Sequence, residues 1–236
     1  MRPFLLLSLL LSACNSAEVQ ETAVEKITAS VDTIAPEVII DTFQLTPIDY
    51  DTSQWTELIQ LDTSIVLDIR YATNNNFVKE KMYECGRCFL RPAAAKAVIG
   101  LHQKLKEKGL KIKLYDCFRP RPIQWKLWKK IPDPRYVSDP RKGSMHNRGA
   151  AVDLTFTDMD GKELDMGTDF DFFGIEAYHE YQEYSEEIIN NRKLLKESME
   201  SIGFKAIRTE WWHYSYQGKS YEISDMVWNC EEEVKN

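Results

Sequence analysis

The sequence has no excess of basic residues. Its 30 Lys and Arg are outnumbered by 37 Asp and Glu, for a formal net charge of −7. That argues against a nucleic-acid partner, which needs a basic face. It also gives no reason to expect attachment to anionic lipid through surface charge. Long apolar runs are missing too: Phe4 to Leu11 is too short to span a bilayer as a helix. Histidine is scarce, with four in 236 residues: His102, His146, His179 and His213. Among the five cysteines, Cys85-Gly-Arg-Cys88 has the spacing of half a zinc knuckle or of a redox pair. No second ligand pair follows at suitable spacing, and no βαβ setting surrounds it, so both readings lack their context.

What is present is the composition of a globular chain, 43% hydrophobic and 28% charged, long enough for one ordinary domain plus extensions. Residues 1–14 combine Arg2, a short apolar run and small residues. Leu11-Ser-Ala-Cys14 resembles the bacterial lipoprotein box. The resemblance implies a signal peptide over 1–13 and lipidation at Cys14. The protein would then be exported and held on a bacterial membrane by that lipid alone, facing the periplasm or the cell surface. Asn15 is not the Asp associated with inner-membrane retention, and which membrane holds the chain stays open. Residues 15–50 keep no helical or strand period, so 14–50 reads as a lipidated N-terminus and tether, with the folded domain over 51–236.

Within that domain, Ser64 to Tyr71 predicts a strand. Pro92 opens a helix whose buried stripe is Ala94, Ala97, Val98, Leu101 and Leu105, ended by Gly109. His102 sits beside that stripe and reads as a structural histidine rather than a ligand. Leu110 to Asp116 alternates as a strand with one buried face and runs into Cys117-Phe-Arg-Pro-Arg-Pro122. The prolines stiffen the backbone after Arg119, which either projects a fixed cation into a cleft or lies on the surface. A short helix over 123–130 and a long loop over 132–148 follow. Ala150 to Thr157 predicts a half-buried strand, with Val152, Leu154 and Phe156 on one face and Asp153, Thr155 and Thr157 on the other. A hairpin should return through Leu164. Ser185 caps a helix with Ile188, Leu195, Met199 and Ile202 on its buried face. Strands over 204–207 and 210–216 follow. His179 has no partner at ligand spacing and takes no role.

Chemistry concentrates in Gly143 to Leu154 and Thr209-Glu-Trp-Trp-His-Tyr214, which together hold His146, His213, Asp153 and Glu210. Two imidazoles and one carboxylate fill three positions around a tetrahedral Zn²⁺, leaving the fourth for water, as in a catalytic site. The remaining carboxylate can take a proton from that water. Alternation sets a constraint. Trp211, His213 and Ser215 share one face of a regular strand, so Glu210 points away from His213 unless the backbone bulges between them. With Cys14 lipidated, four cysteines remain and allow three pairings. The favoured one joins Cys85 to Cys88 and Cys117 to Cys230, with free thiols as the alternative.

The pattern Ser144-x-His146-x-x-Gly149-x-Ala151-x-Asp153, with Glu210-Trp-Trp-His213 further on, resembles the D-alanyl-D-alanine dipeptidases of the VanX type. Asp68-x-Arg-Tyr-Ala-Thr73, Asp116-x-Phe-Arg-Pro120 and Met166-Gly-x-x-Phe-Asp-Phe172 extend the match over roughly residues 50–216. The resemblance implies an α+β fold, a central antiparallel sheet with helices around it and a zinc site in a cleft on the sheet. It implies one Zn²⁺ per chain on His146, Asp153 and His213, with Glu210 as general base. Arg119 would stabilise the intermediate, Asp171 would hold the free amino group of a dipeptide, and Ser144 would line the same pocket. Two rival expectations are a D,D-carboxypeptidase or endopeptidase acting on peptidoglycan stems, and a zinc-containing binding module without catalysis. The sequence is silent on oligomeric state.

Overall fold

The computed structural model describes residues 48–230, so Cys14, the signal peptide and all but the end of the tether lie outside the described residues. In chain order the regular elements are β1 (Thr56–Glu57), β2 (Val66–Leu67), β3 (Phe89–Leu90), α1 (Pro92–Lys106), β4 (Leu110–Asp116), α2 (Arg121–Lys130), β5 (Ala151–Asp158), α3 (Glu186–Ser201), β6 (Phe204–Ile207) and β7 (Glu210–Tyr216). Five strands form one sheet in the order β2-β4-β5-β7-β6, and β1 pairs with β3 separately. The expected α+β architecture is the one observed. All neighbours in the large sheet are antiparallel except β2, which runs parallel to β4 at one edge.

The sequence explains most of the frame. Pro92 stands at the first turn of α1, where no N–H is needed, and Ala94, Ala95, Val98, Leu101 and Leu105 bury its inner face against β4. Ser185 caps α3 by accepting the Ile188 amide, and Leu195 and Met199 pack this helix onto the sheet beside β6. His102 is structural, as expected: Nδ1 accepts the Ile112 amide at 3.1 Å and Nε2 lies 3.0 Å from Ser64 Oγ. The hairpin after β5 returns where predicted, through a bridge between Thr157 and Glu163. No helix among the described residues is long and apolar enough to cross a membrane.

Three expectations are corrected. The strand over 64–71 shrinks to Val66–Leu67, because Asp68 turns back to pair with Arg70 and residues 70–72 close a tight helical turn. The β5 strand is not half-buried: Thr155 and Thr157 are as enclosed as Leu154 and Phe156. Its neighbours β4 and β7 pair both of its edges, and both of its faces are enclosed. The cysteines pair as Cys85–Cys230 and Cys88–Cys117, with Cα atoms 5.8 and 5.4 Å apart. Cys88 immediately precedes β3, and the Phe118 amide donates to Phe89 O, which brings Cys117 alongside. Between the two cysteines of the CxxC, Arg87 turns inward to buried Glu57 and to Asp49.

The segment after β7, patternless in sequence, crosses back over the domain. Trp228 packs between Tyr83 and Phe89, and the Ser224 amide donates to Asn147 O. Arg121 pairs with Asp225, and Arg148 donates to Tyr221 O.

Candidate active site

Gly149 sets the geometry of the first motif. His146–Arg148 makes one tight helical turn, and Gly149 ends it in the left-handed region at φ 67°. A Cβ at that position would strike Trp55, so neither backbone nor space admits another residue. The turn delivers His146 to the mouth of β5, whose third residue is Asp153. β7 pairs with β5 through Asp153↔His213, which brings the second motif alongside.

The three side chains converge. His146 Nε2 lies 3.1 Å from His213 Nδ1 and 3.3 Å from Asp153 Oδ1, and His213 Nδ1 lies 2.9 Å from the same carboxylate oxygen. A tetrahedral ion with bonds of ~2.0–2.1 Å sets its ligands about 3.3 Å apart, so the donor set fits Zn²⁺ in number, chemistry and spacing. His146 Nδ1 sits 2.7 Å from Cys117 O. A carbonyl only accepts, which fixes the proton on Nδ1 and leaves Nε2 bare for a metal. Burial works against charge on His146, but the adjacent Asp153 outweighs it and raises the imidazole's affinity for a proton. Burial likewise opposes ionisation of Asp153, yet His146 and His213 hold its carboxyl well below the usual range.

The constraint on Glu210 is met by a bulge. β6 and β7 pair at Ala206↔Tyr214 and then at Ile207↔Glu210, so the stretch of β7 between them has no counterpart in β6. Glu210, Trp212, His213 and Ser215 therefore line one cavity of about 370 Å³. Trp211 does not share the face of His213, as regular alternation predicts. The bulge turns it into a neighbouring cavity, where its Nε1 donates to Thr168 Oγ1 at 2.8 Å. Burial pushes the Glu210 carboxyl up, with His213 pulling the other way.

Arg119, Asp171 and Ser144 line the same cavity. Of the two readings of Arg119, the buried one holds. Its Nε and Nη2 donate to buried Asp116 at 2.9 and 2.7 Å, and its Nη1 to Gln124 at 3.1 Å. The Tyr83 hydroxyl, which donates to Asp116 at 2.8 Å, also lies against the guanidinium, whose terminal nitrogens each carry a second N–H. Asp171 takes a left-handed backbone at φ 61° and accepts the Tyr71 hydroxyl at 3.1 Å. Burial, then the field of Asp153, pushes its carboxyl well above the usual range. Ser144 is tied by its amide to Asn147 Oδ1 at 2.7 Å. His179 lies apart, near Tyr214 on the far side of β7.

Four residues of the site were given no role by the sequence. Tyr71 backs both Asp171 and the Arg119 guanidinium, which stacks 4.9 Å from its ring centre. Asp116 and Gln124 fix Arg119, and Ser215 Oγ lies 3.0 Å from His213 Nε2. Tyr71 and Asp116 lay in matched motifs and Ser215 on the shared strand face two residues past His213, whereas Gln124 carried no signal.

Comparison with known proteins bears on this arrangement. A family profile described as D-ala-D-ala dipeptidase matches residues 51–229. The chain is 33% identical over 181 residues to a D-alanyl-D-alanine dipeptidase of Escherichia coli, covering 76% of this chain and 94% of that one. It is 30% identical over 175 residues to one of Enterococcus faecalis, covering 65% and 87%. With one of Enterococcus faecium the identity is 29% over 194 residues, covering 72% and 95%. Among solved structures, it aligns with the vancomycin-resistance D,D-pentapeptidase VanY in complex with Zn(II). That match has 15% identity over 55% of this chain and 73% of the other, with a TM-score of 0.37. It is too loose to bear on function.

Proposed function

This chain belongs to the D-Ala-D-Ala dipeptidase family and is a peptidase, and from that premise we propose that it hydrolyses free D-Ala-D-Ala or a similar dipeptide with one bound Zn²⁺. One observation carries the reading. His146 Nε2, Asp153 Oδ1 and His213 Nδ1 lie within 4.8 Å of one another in a cavity that also exposes Glu210, Arg119 and Asp171. His146, Asp153 and His213 would hold the ion. When bound, Zn²⁺ polarises the scissile carbonyl and lowers the pKa of a coordinated water toward ~7.

The chain's own residues divide the remaining work. Glu210 accepts the proton of the attacking water and passes it to the departing amine nitrogen, a role favoured by its raised proton affinity. The Arg119 guanidinium, which lines the cavity, meets the oxyanion that develops on the carbonyl oxygen. Asp116 and Gln124 already hold the guanidinium, so it need not reorganise. Asp171 and Tyr71 receive the substrate's free ammonium, which selects an unblocked dipeptide because a buried carboxylate without its cation is costly. Ser144 lines the same pocket. Export and anchoring through a lipid on Cys14 belong to this proposal as well.

The test is release of D-alanine by the zinc-loaded protein from D-Ala-D-Ala, its N-acetyl derivative and a muropeptide pentapeptide. Cleavage confined to the free dipeptide is expected. Cleavage of the pentapeptide instead would sink the dipeptidase reading in favour of a D,D-carboxypeptidase. Glu210→Gln should keep its zinc and lose about 10²–10⁴ in kcat. If metal content falls with activity, Glu210 is a ligand and not the base.

A further inference from the structure

We infer that Ser215 is a positioning residue for His213, and that its hydroxyl lets this imidazole change tautomer as the metal arrives. The inference rests on the zinc reading above and adds to it how the ligand set accommodates both the loaded and the empty state. His213 has both ring nitrogens engaged. Nδ1 faces the metal position, 2.9 Å from Asp153 Oδ1 and 3.1 Å from His146 Nε2. Nε2 lies 3.0 Å from Ser215 Oγ, its one hydrogen-bond partner among the described residues. Ser215 is buried, sits two residues further along β7 and pairs in register with Ala151 of β5. The sheet therefore fixes where its hydroxyl lies.

The two histidines are backed differently. His146 leans on Cys117 O, which only accepts, so its proton stays on Nδ1 whether or not a metal is present. His213 leans on a hydroxyl, which both donates and accepts. Without metal, its Nδ1–H donates to Asp153 and the Ser215 hydroxyl donates to Nε2. A metal on Nδ1 needs that nitrogen bare. One proton then leaves Nδ1, one arrives at Nε2, and the Ser215 hydrogen rotates away so that Oγ accepts. No hydrogen bond is lost on the Ser215 side in either state. A carbonyl or carboxylate in place of the hydroxyl would serve only the loaded form. An alanine would serve neither.

The experiment uses the full chain with ¹⁵N-labelled histidine, as wild type, Ser215→Ala and Ser215→Thr. Zinc affinity is read by chelator competition and tautomers by the ring-nitrogen shifts of His146 and His213. In the wild type, His213 should pass from Nδ1–H to Nε2–H on zinc loading while His146 stays Nδ1–H. Ser215→Ala should weaken zinc binding by about 10–100-fold, the usual effect of removing such a backing group. Ser215→Thr, which keeps a hydroxyl, should restore most of it. Unchanged His146 shifts in the metal-free variants report an intact fold. Equal zinc affinity in Ser215→Ala and wild type overturns the inference and leaves the zinc reading standing, as does a His213 that is Nε2–H in both states. A wild type that binds no zinc overturns both.

Discussion

Asp171 carries two local costs. It holds a left-handed backbone, which residues other than Gly seldom adopt, and it buries an acid near a second carboxylate. The field of Arg119 and the phenol of Tyr71 do not offset that burial, whereas the ammonium of a free dipeptide would. We predict that Asp171→Asn folds normally and loses about 2 kcal/mol or more of binding to the free dipeptide, roughly thirtyfold in kcat/KM. Discrimination against the N-acetyl dipeptide should shrink in step, and parallel kinetics on the two substrates would check it. His179 makes a separate prediction. Burial, then the fields of Lys196 and Arg192, lowers its pKa from 6.5 to about 4. A group whose pKa is lower folded than unfolded binds its proton first in the unfolded chain. Stability should therefore fall as pH drops from 6.5 toward 4, with no contribution above that window. Thermal melts across this range should show a shallower acid decline for His179→Gln; an identical decline would remove His179 as a cause.

At the scale of elements, the site depends on two departures from regularity. The bulge in β7 swings Glu210 into the cavity beside His213, and the Cys88–Cys117 disulfide fastens the end of β4 to the start of β3. The carbonyl that orients His146 belongs to Cys117 itself, and the Arg119 amide donates back to His146 O. Replacing Cys88 and Cys117 by Ser should cost roughly 3–4 kcal/mol by loop-closure entropy for a sequence separation of 29. It should also weaken zinc binding, because the backing of His146 is loosened. Urea unfolding and zinc titration of the same variant separate the two effects. A variant that loses stability but keeps full zinc affinity would show that the Cys117 carbonyl holds its place without the disulfide.

Across the whole molecule, the sequence was most legible where spacing alone fixes geometry. A residue on a tight turn before β5, another inside β5 and a third on its pairing neighbour meet once the strands pair, and His146, Asp153 and His213 do. The helices were legible for the same reason: Pro92, Gly109 and Ser185 mark their ends through backbone chemistry. What stayed hidden depends on contacts between distant segments. The covering of Thr155 and Thr157, the cysteine pairing and the course of residues 217–230 are decided by what packs on what, and no local pattern encodes that. The last of these has a consequence for the order of assembly. Cys230 is fastened to Cys85 across 145 positions, and the same segment lays the Ser224 amide on Asn147, next to His146. This strap cannot be buckled until the chain has run as far as Cys230 and the two thiols have been oxidised. A growing or reduced chain would hold every site residue up to His213 and still lack the outer brace of its first motif. The outer brace of the first motif is therefore the last part of the domain that the chain can complete.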